Sequence, residues 1–202
     1  VSYNSLAHRT TWLRPDFLVG RRFAAAAPNR LHVADITYAR MAGGRFGYTA
    51  FVTDVFARRI VGWACATTTG TERLPLQALE QAIAWASRHG GTDGLVHHSD
   101  HGSQYTSLVY TTRVREYGML PSTGSVGDSY DNAMAESADG AYKTELVWRC
   151  KPFEDLAALE TATFRWVSWW NTKRLHASLG YRTPQQAETE YYQKQTAQAA
   201  SL

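Results

Sequence analysis

Three apolar-rich runs follow one another closely: LHVADITYAR (31–40), the stretch from Phe46 to Val55, and RIVGWACATT (59–68). β-Branched and aromatic residues dominate each run, and the intervening AGGR and FARR have the length of hairpin connections, which predicts three antiparallel strands. The period then changes. Between Leu74 and His89 apolar residues recur at Leu76, Leu79, Ile83 and Ala86, the stripe of an amphipathic helix, and Gly90 and Gly91 end it. LVHH (95–98) reads as a short buried strand running into the loop SDHGSQ, and Leu108 to Tyr117 as a helix stopped by Gly118. After a Gly- and Ser-rich loop (122–129), Asp131 can cap a helix through Ala133 to about Trp148. A last long helix covers Glu154 to about Asn171, with Leu156, Leu159, Phe164, Val167 and Trp170 in its apolar set, before a turn at GYRTP. Antiparallel strands followed by alternating helix and strand predict a mixed sheet covered on both faces.

The elements divide the chain into a basic arm or linker (1–28), a core (29–150), a helical extension (151–190) and a polar tail (191–202). With 44% apolar and 19% charged residues in 202, the composition excludes collagen-like, coiled-coil and wholly disordered classes. The net charge of +3 does not alone announce a nucleic-acid binder, but residues 1–30 hold five Arg (Arg9, Arg14, Arg21, Arg22, Arg30) against Asp16 alone. Cys65 and Cys150 have no CxxC spacing, so reduced thiols and a cytoplasmic location are expected. No apolar run approaches the ~20 residues of a membrane span, and the N-terminus lacks a signal-peptide succession. Val1 stands where a natural chain has Met, which predicts a piece of something longer.

Three acids break the apolar pattern. Leu31, Val33, Asp35 and Thr37 share one strand face, so Asp35 continues an apolar row, where an unpaired carboxylate costs several kcal/mol. Asp100 follows the LVHH strand at once, where strand ends in α/β sheets open into ligand crevices; a turn-forming Asp is the plain alternative. The neighbouring His97, His98 and His101 raise zinc as an option, but His97 and His98 face opposite ways and no HExxH completes a ligand set. Glu136, with 35 residues between it and Asp100, lies on the helix after the loop. At about 100° per residue, Asn132, Asp139 and Lys143 lie near its face and Glu145 lies opposite. Asp54 reads as structural.

VADITY, HHSDHGSQYTS and GSVGDSYDNAMAESADGAYKTEL, with 35 residues between the second and third acids, closely resemble the DDE transposases of bacterial insertion sequences, relatives of retroviral integrases. The likeness is to the large-reading-frame transposase of family three. WWNTKRLHASLGYRTPQQAE and RPDFLVGRRFAAAAPNR extend it over about residues 14–190. Two departures are His32, where relatives often have an aromatic, and SADG after Glu136, where many have SFNG, which adds Asp139 near the site.

The resemblance implies a ribonuclease-H-like α/β fold, a mixed five-stranded sheet flanked by helices on both faces, with helix-turn-helix segments upstream. It implies that Asp35, Asp100 and Glu136 are catalytic and hold two Mg²⁺ or Mn²⁺ ions, Asp35 bridging both. The activity implied is cleavage and strand transfer of DNA at insertion-sequence ends. The implied partners are the terminal inverted repeats and target DNA, with a homo-oligomer assembled on DNA and no membrane. A ribonuclease-H-type nuclease without strand transfer, and a degenerate DNA- or transposase-binding remnant, are the alternatives. Lys143, Gln104, Asn132, Lys173 and Arg174 are the expected DNA contacts, with helix-surface, turn or capping roles as plain readings. His176 is expected near the site by the same analogy, and Trp166, Trp169 and Trp170 read as a core stripe rather than a base-stacking platform.

Overall fold

The computed structural model of the chain describes residues 24–70, 73–100, 102–123 and 133–201, with the backbone alone for 133–136. β1 (Leu31–Arg40), β2 (Phe46–Asp54) and β3 (Ile60–Ala66) form the expected antiparallel meander. Then come α1 (Pro75–Arg88), β4 (Val96–Ser99), α2 (Leu108–Glu116), β5 (Leu120–Thr123), α3 (Ala133–Tyr142), α4 (Leu156–Thr172) and α5 (Pro184–Ala199). The strands make one mixed sheet in the order β3-β2-β1-β4-β5, with β4 parallel to β1 and β5 parallel to β4. Parallel neighbours need crossover connections, which α1 and α2 supply.

Strand alternation sends side chains to two cores. Ala34, Ala50 and Val52 face α1 and α2, meeting Leu79, Ile83, Tyr110 and Val114. Phe51 and Ile60 face the other side, under Ala138 and Tyr142 of α3 and Trp166, Val167 and Trp170 of α4. Each fully buried Leu, Ile or Val contributes about 1.5–3 kcal/mol relative to exposure, so helices are fixed on both faces. A hydroxyl chain crosses the second core: Tyr142 stands 2.7 Å from Thr163 and 3.3 Å from Thr49. Trp166 and Trp170 are buried there, whereas Trp169 is exposed.

Three segments differ from expectation. The stretch read as loop from residue 122 begins inside β5, a four-residue strand containing Pro121; it is an edge strand, where a missing N–H is tolerated. The helix expected to run to Trp148 changes at Tyr142 into a π turn, Lys143–Val147, closed by the Trp148 amide donating to the Lys143 carbonyl at 2.8 Å. The segment read as a closing turn and polar tail holds α5. A capping box starts it: Thr183 Oγ1 accepts from the Gln186 amide at 3.1 Å, and Gln186 Oε1 accepts from the Thr183 amide at 2.9 Å. Residues 1–23, which hold most of the basic arm, and the capping residue Asp131 lie outside the described residues.

Candidate active site

The acid site begins with strand register. β1 and β4 run parallel with Ala34 beside Ser99, so Asp35 continues β1 at the point where the chain leaves the end of β4 into Asp100. Asp35 is half-buried in the row of Val33 and Thr37, and it pairs across the sheet with Phe51, on the face that α3 covers. Asp100 is exposed just past the end of β4, and its Oδ1 accepts from the Gly102 amide at 2.9 Å. A methyl group on residue 102 would stand 2.8 Å from that oxygen, so glycine lets the turn close on the carboxylate.

α3 lies across β1 and β2 and brings Asp139, only 8% exposed, to the same place. The backbone of Glu136 is one turn earlier on α3, on the same helical face. Buried Tyr105 marks the convergence. Burial, neighbouring Tyr110 and the charges of Asp35, Asp100 and Asp139 hold its phenol well above the usual range. Its hydroxyl has no hydrogen-bond partner among the described residues. Tyr105 escaped the sequence reading; its one signal was an aromatic ring inside the polar loop that follows Asp100. Among the described side chains no three His, Cys, Asp or Glu form a metal-holding group. The donors on these elements are carboxylate oxygens, the class preferred by hard ions such as Mg²⁺ and Mn²⁺.

The remaining expected residues divide. Asp54, 1% exposed, accepts from the amides of Asn29 (2.8 Å) and Ala57 (2.9 Å) and secures the β2–β3 turn; burial raises its carboxyl to about 6 despite those bonds. Glu145 turns away from the acids and binds Arg174, whose Nη2 donates to Oε1 at 2.7 Å. That guanidinium also lies 4.5 Å above the Trp170 ring. Lys143 opens the π turn with its ammonium 4.7 Å above the Tyr38 ring, beside a cleft that Arg40 and Phe46 also line. Gln104 sits in the loop after Asp100, and Lys173 is exposed at the end of α4. His97 and His98 point to different partners, Tyr110 (2.7 Å) and Ser122 (3.0 Å). Asn132 lies outside the described residues.

Comparison with known proteins agrees with this arrangement. The integrase core domain family matches residues 25–129, and a second integrase core domain family matches residues 117–184. A putative transposase for insertion sequence element IS986/IS6110 of Mycobacterium tuberculosis is 48% identical over 189 residues, 93% of this chain and 67% of the relative. The transposase for insertion sequence element IS629 of Shigella sonnei is 52% identical over 174 residues, 86% of this chain and 56% of the relative. In fold, the chain matches the HTLV-2 integrase catalytic core domain solved in complex with magnesium, with a TM-score of 0.61 at 16% identity over 81% of this chain and 99% of that one. At that identity the likeness establishes the ribonuclease-H-like fold alone. The motifs, the sheet order and these relatives together make the chain a member of the integrase-core transposases of bacterial insertion sequences, of the family-three type.

Proposed function

We propose that this chain is the part of a transposase that cuts insertion-sequence ends and joins them to target DNA, with Asp35, Asp100 and Glu136 as its catalytic acids. The observation that supports the reading is the β1–β4 register, Ala34 beside Ser99, which brings Asp35 next to the strand end that leads into Asp100, with the helix that bears Glu136 lying across β1. Two divalent ions, Mg²⁺ or Mn²⁺, would be held by these three carboxylates and would supply activation of the attacking oxygen and neutralisation of the leaving oxygen.

The chain's own groups set the stage for that chemistry. Asp35 stands on β1, the central strand of the sheet, and would form the floor of the site. Asp100 reaches in from a turn locked by its bond to Gly102, so its carboxylate is oriented before DNA arrives. Glu136 is carried by α3, which lies across β1 and β2. Asp139 adds a fourth negative charge, which disfavours bare phosphate and makes cations a condition for DNA approach. Lys143, Gln104, Asn132 and Lys173 would meet backbone phosphates, contacts that position DNA without reading its sequence. Partners would be the terminal inverted repeats, target DNA and further copies of the chain.

The test uses labelled element-end DNA with Mn²⁺, scored for nicked and joined products. Asp100→Asn is nearly isosteric but removes a ligand charge, so both products should vanish while DNA affinity stays equal or rises. Retained metal-dependent joining by that variant overturns the assignment. Nicking without any joined product from the wild-type chain favours a plain nuclease instead.

A further inference from the structure

A second feature lies on the α3 side of the sheet, where the β2–β3 turn meets the segment after α4. Thr53, Arg58, Ser137, Arg174, His176 and Ser178 line a cleft of about 280 Å³ there. All of these side chains carry hydrogen-bond donors, and among the described residues no carboxylate lines the cleft. Ser137 follows Glu136 on α3, so the cleft adjoins the acid site.

Arg58 is held there against its local preference. Its φ is +58°, a left-handed conformation that non-glycine residues seldom adopt without an external constraint. The constraint comes from α4: Trp170 Nε1 donates to the Arg58 carbonyl at 2.8 Å, and Asn171 bonds both the amide and the carbonyl of Ile60 at 2.9 Å. The guanidinium is half-buried and makes no ion pair among the described residues. Its pKa is lowered by burial. A cation that gives up hydration without a partner is the usual state of an anion site before its ligand binds.

His176, 5% exposed, supplies a second donor. Arg174 Nη1 lies 3.3 Å from His176 Nδ1, and because a guanidinium only donates, Nδ1 must accept. The neutral ring then carries its hydrogen on Nε2, a buried atom that makes no well-formed hydrogen bond among the described residues, although the Trp170 backbone lies near the ring. Burial, with the Arg174 cation beside it, lowers the ring to about 4, so it is neutral at pH 7. Arg174 itself is neutralised by Glu145 and acts as a positioning residue that fixes the imidazole tautomer.

We propose that this cleft binds a backbone phosphate of the DNA substrate, with Arg58 and His176 as its direct ligands and the Ser137 and Ser178 hydroxyls beside them. The proposal rests on the DNA reading above. It adds a fixed grip next to the reacting strand, at residues that the acid triad does not include.

The experiment measures binding of a labelled duplex across a salt series for the full chain, Arg58→Asn and His176→Phe, with thermal midpoints as a check on folding. Asn tolerates the left-handed turn, and Phe keeps a ring against Trp170. Arg58→Asn should weaken binding roughly tenfold and reduce the slope of log affinity against log salt by about one. His176→Phe should weaken it by a similar factor with an unchanged slope, since it removes a neutral donor. Inorganic phosphate, followed through the His176 imidazole NMR signal, provides the second arm. A free-phosphate response while both folded variants bind duplex like wild type would mean that the cleft takes small anions only, and overturns the proposal. Unchanged affinity and slope in both variants of a chain that nicks element ends overturns the cleft but leaves the catalytic reading intact. A wild-type chain that binds no duplex overturns the catalytic reading itself.

Discussion

A methyl group on Gly62 would stand 2.0 Å from the Ala78 carbonyl oxygen and 3.0 Å from the Ala82 amide nitrogen, both backbone atoms of α1. Neither can move as a side-chain tip can, so Gly62→Ala must push α1 off β3 and open the core around Leu79 and Ile83. Overpacking of this kind costs about 1–3 kcal/mol, and urea unfolding should report a loss at the upper end. Wild-type stability in that variant would mean that α1 slides freely on the sheet. The two strand acids show how one residue type takes two roles. Asp54 is enclosed by backbone amides and keeps a turn, whereas Asp35 stands next to the end of β4 on the face that α3 covers. Alternation marked Asp35 as unusual in its strand, and Asp54 reads as structural. The register separates the acid proposed for the site, next to the end of β4, from the acid that supports the fold.

At the scale of elements, β1 to β3, α1, α2 and α4 were legible because each buries one face and so repeats its apolar residues at a fixed period. β5 has four residues and a proline, too few for alternation to register. α5 is polar almost all round and is held by particular contacts instead: Tyr192 donates to the His89 carbonyl at 2.7 Å, and Arg59 meets Glu188 at 3.2 Å. The π turn after α3 was also beyond periodicity, since one extra residue per turn is set by what the segment packs on. Here that is the Phe153 and Leu159 cluster touched by Leu146 and Val147, together with the Glu145–Arg174 pair. In the site, the acids could be named because charge in an apolar setting is visible in sequence. His176 was reached only through the family resemblance, and Arg58 and Tyr105 not at all, because their surroundings are assembled by α4, by the loop after Asp100 and by a strained turn that lie far apart along the chain.

For the molecule as a whole, buried titratable groups predict how stability follows pH. Burial holds His32 and His97 near 3, and each ring's neighbouring imidazole lowers it further. Unfolding frees both to take up protons below their ordinary value of 6.5, so their contribution is lost as pH falls. Asp54 works the other way between about 6 and its ordinary 3.8, because its folded form takes the proton first. His176, held near 4, joins the two other rings, while Glu188, raised by burial, sides with Asp54; the three rings outweigh the two carboxyls, so unfolding takes up protons on balance between pH 6 and 4. Urea midpoints should hold level from pH 8 to 7 and fall from pH 6 to 4.5; a rise over the lower range would contradict these burial states. The central claim is likewise a property of the assembled molecule, since its three acids come from a strand, a strand end and a helix. Anomalous diffraction from crystals of the chain grown with Mn²⁺ tests it most directly. The account predicts two manganese peaks roughly 4 Å apart, each ~2.2 Å from carboxylate oxygens drawn from Asp35, Asp100 and Glu136. Manganese bound elsewhere, or an ordered Glu136 carboxylate more than ~10 Å from the other two, would contradict it, because ions at that spacing cannot be shared across such a gap.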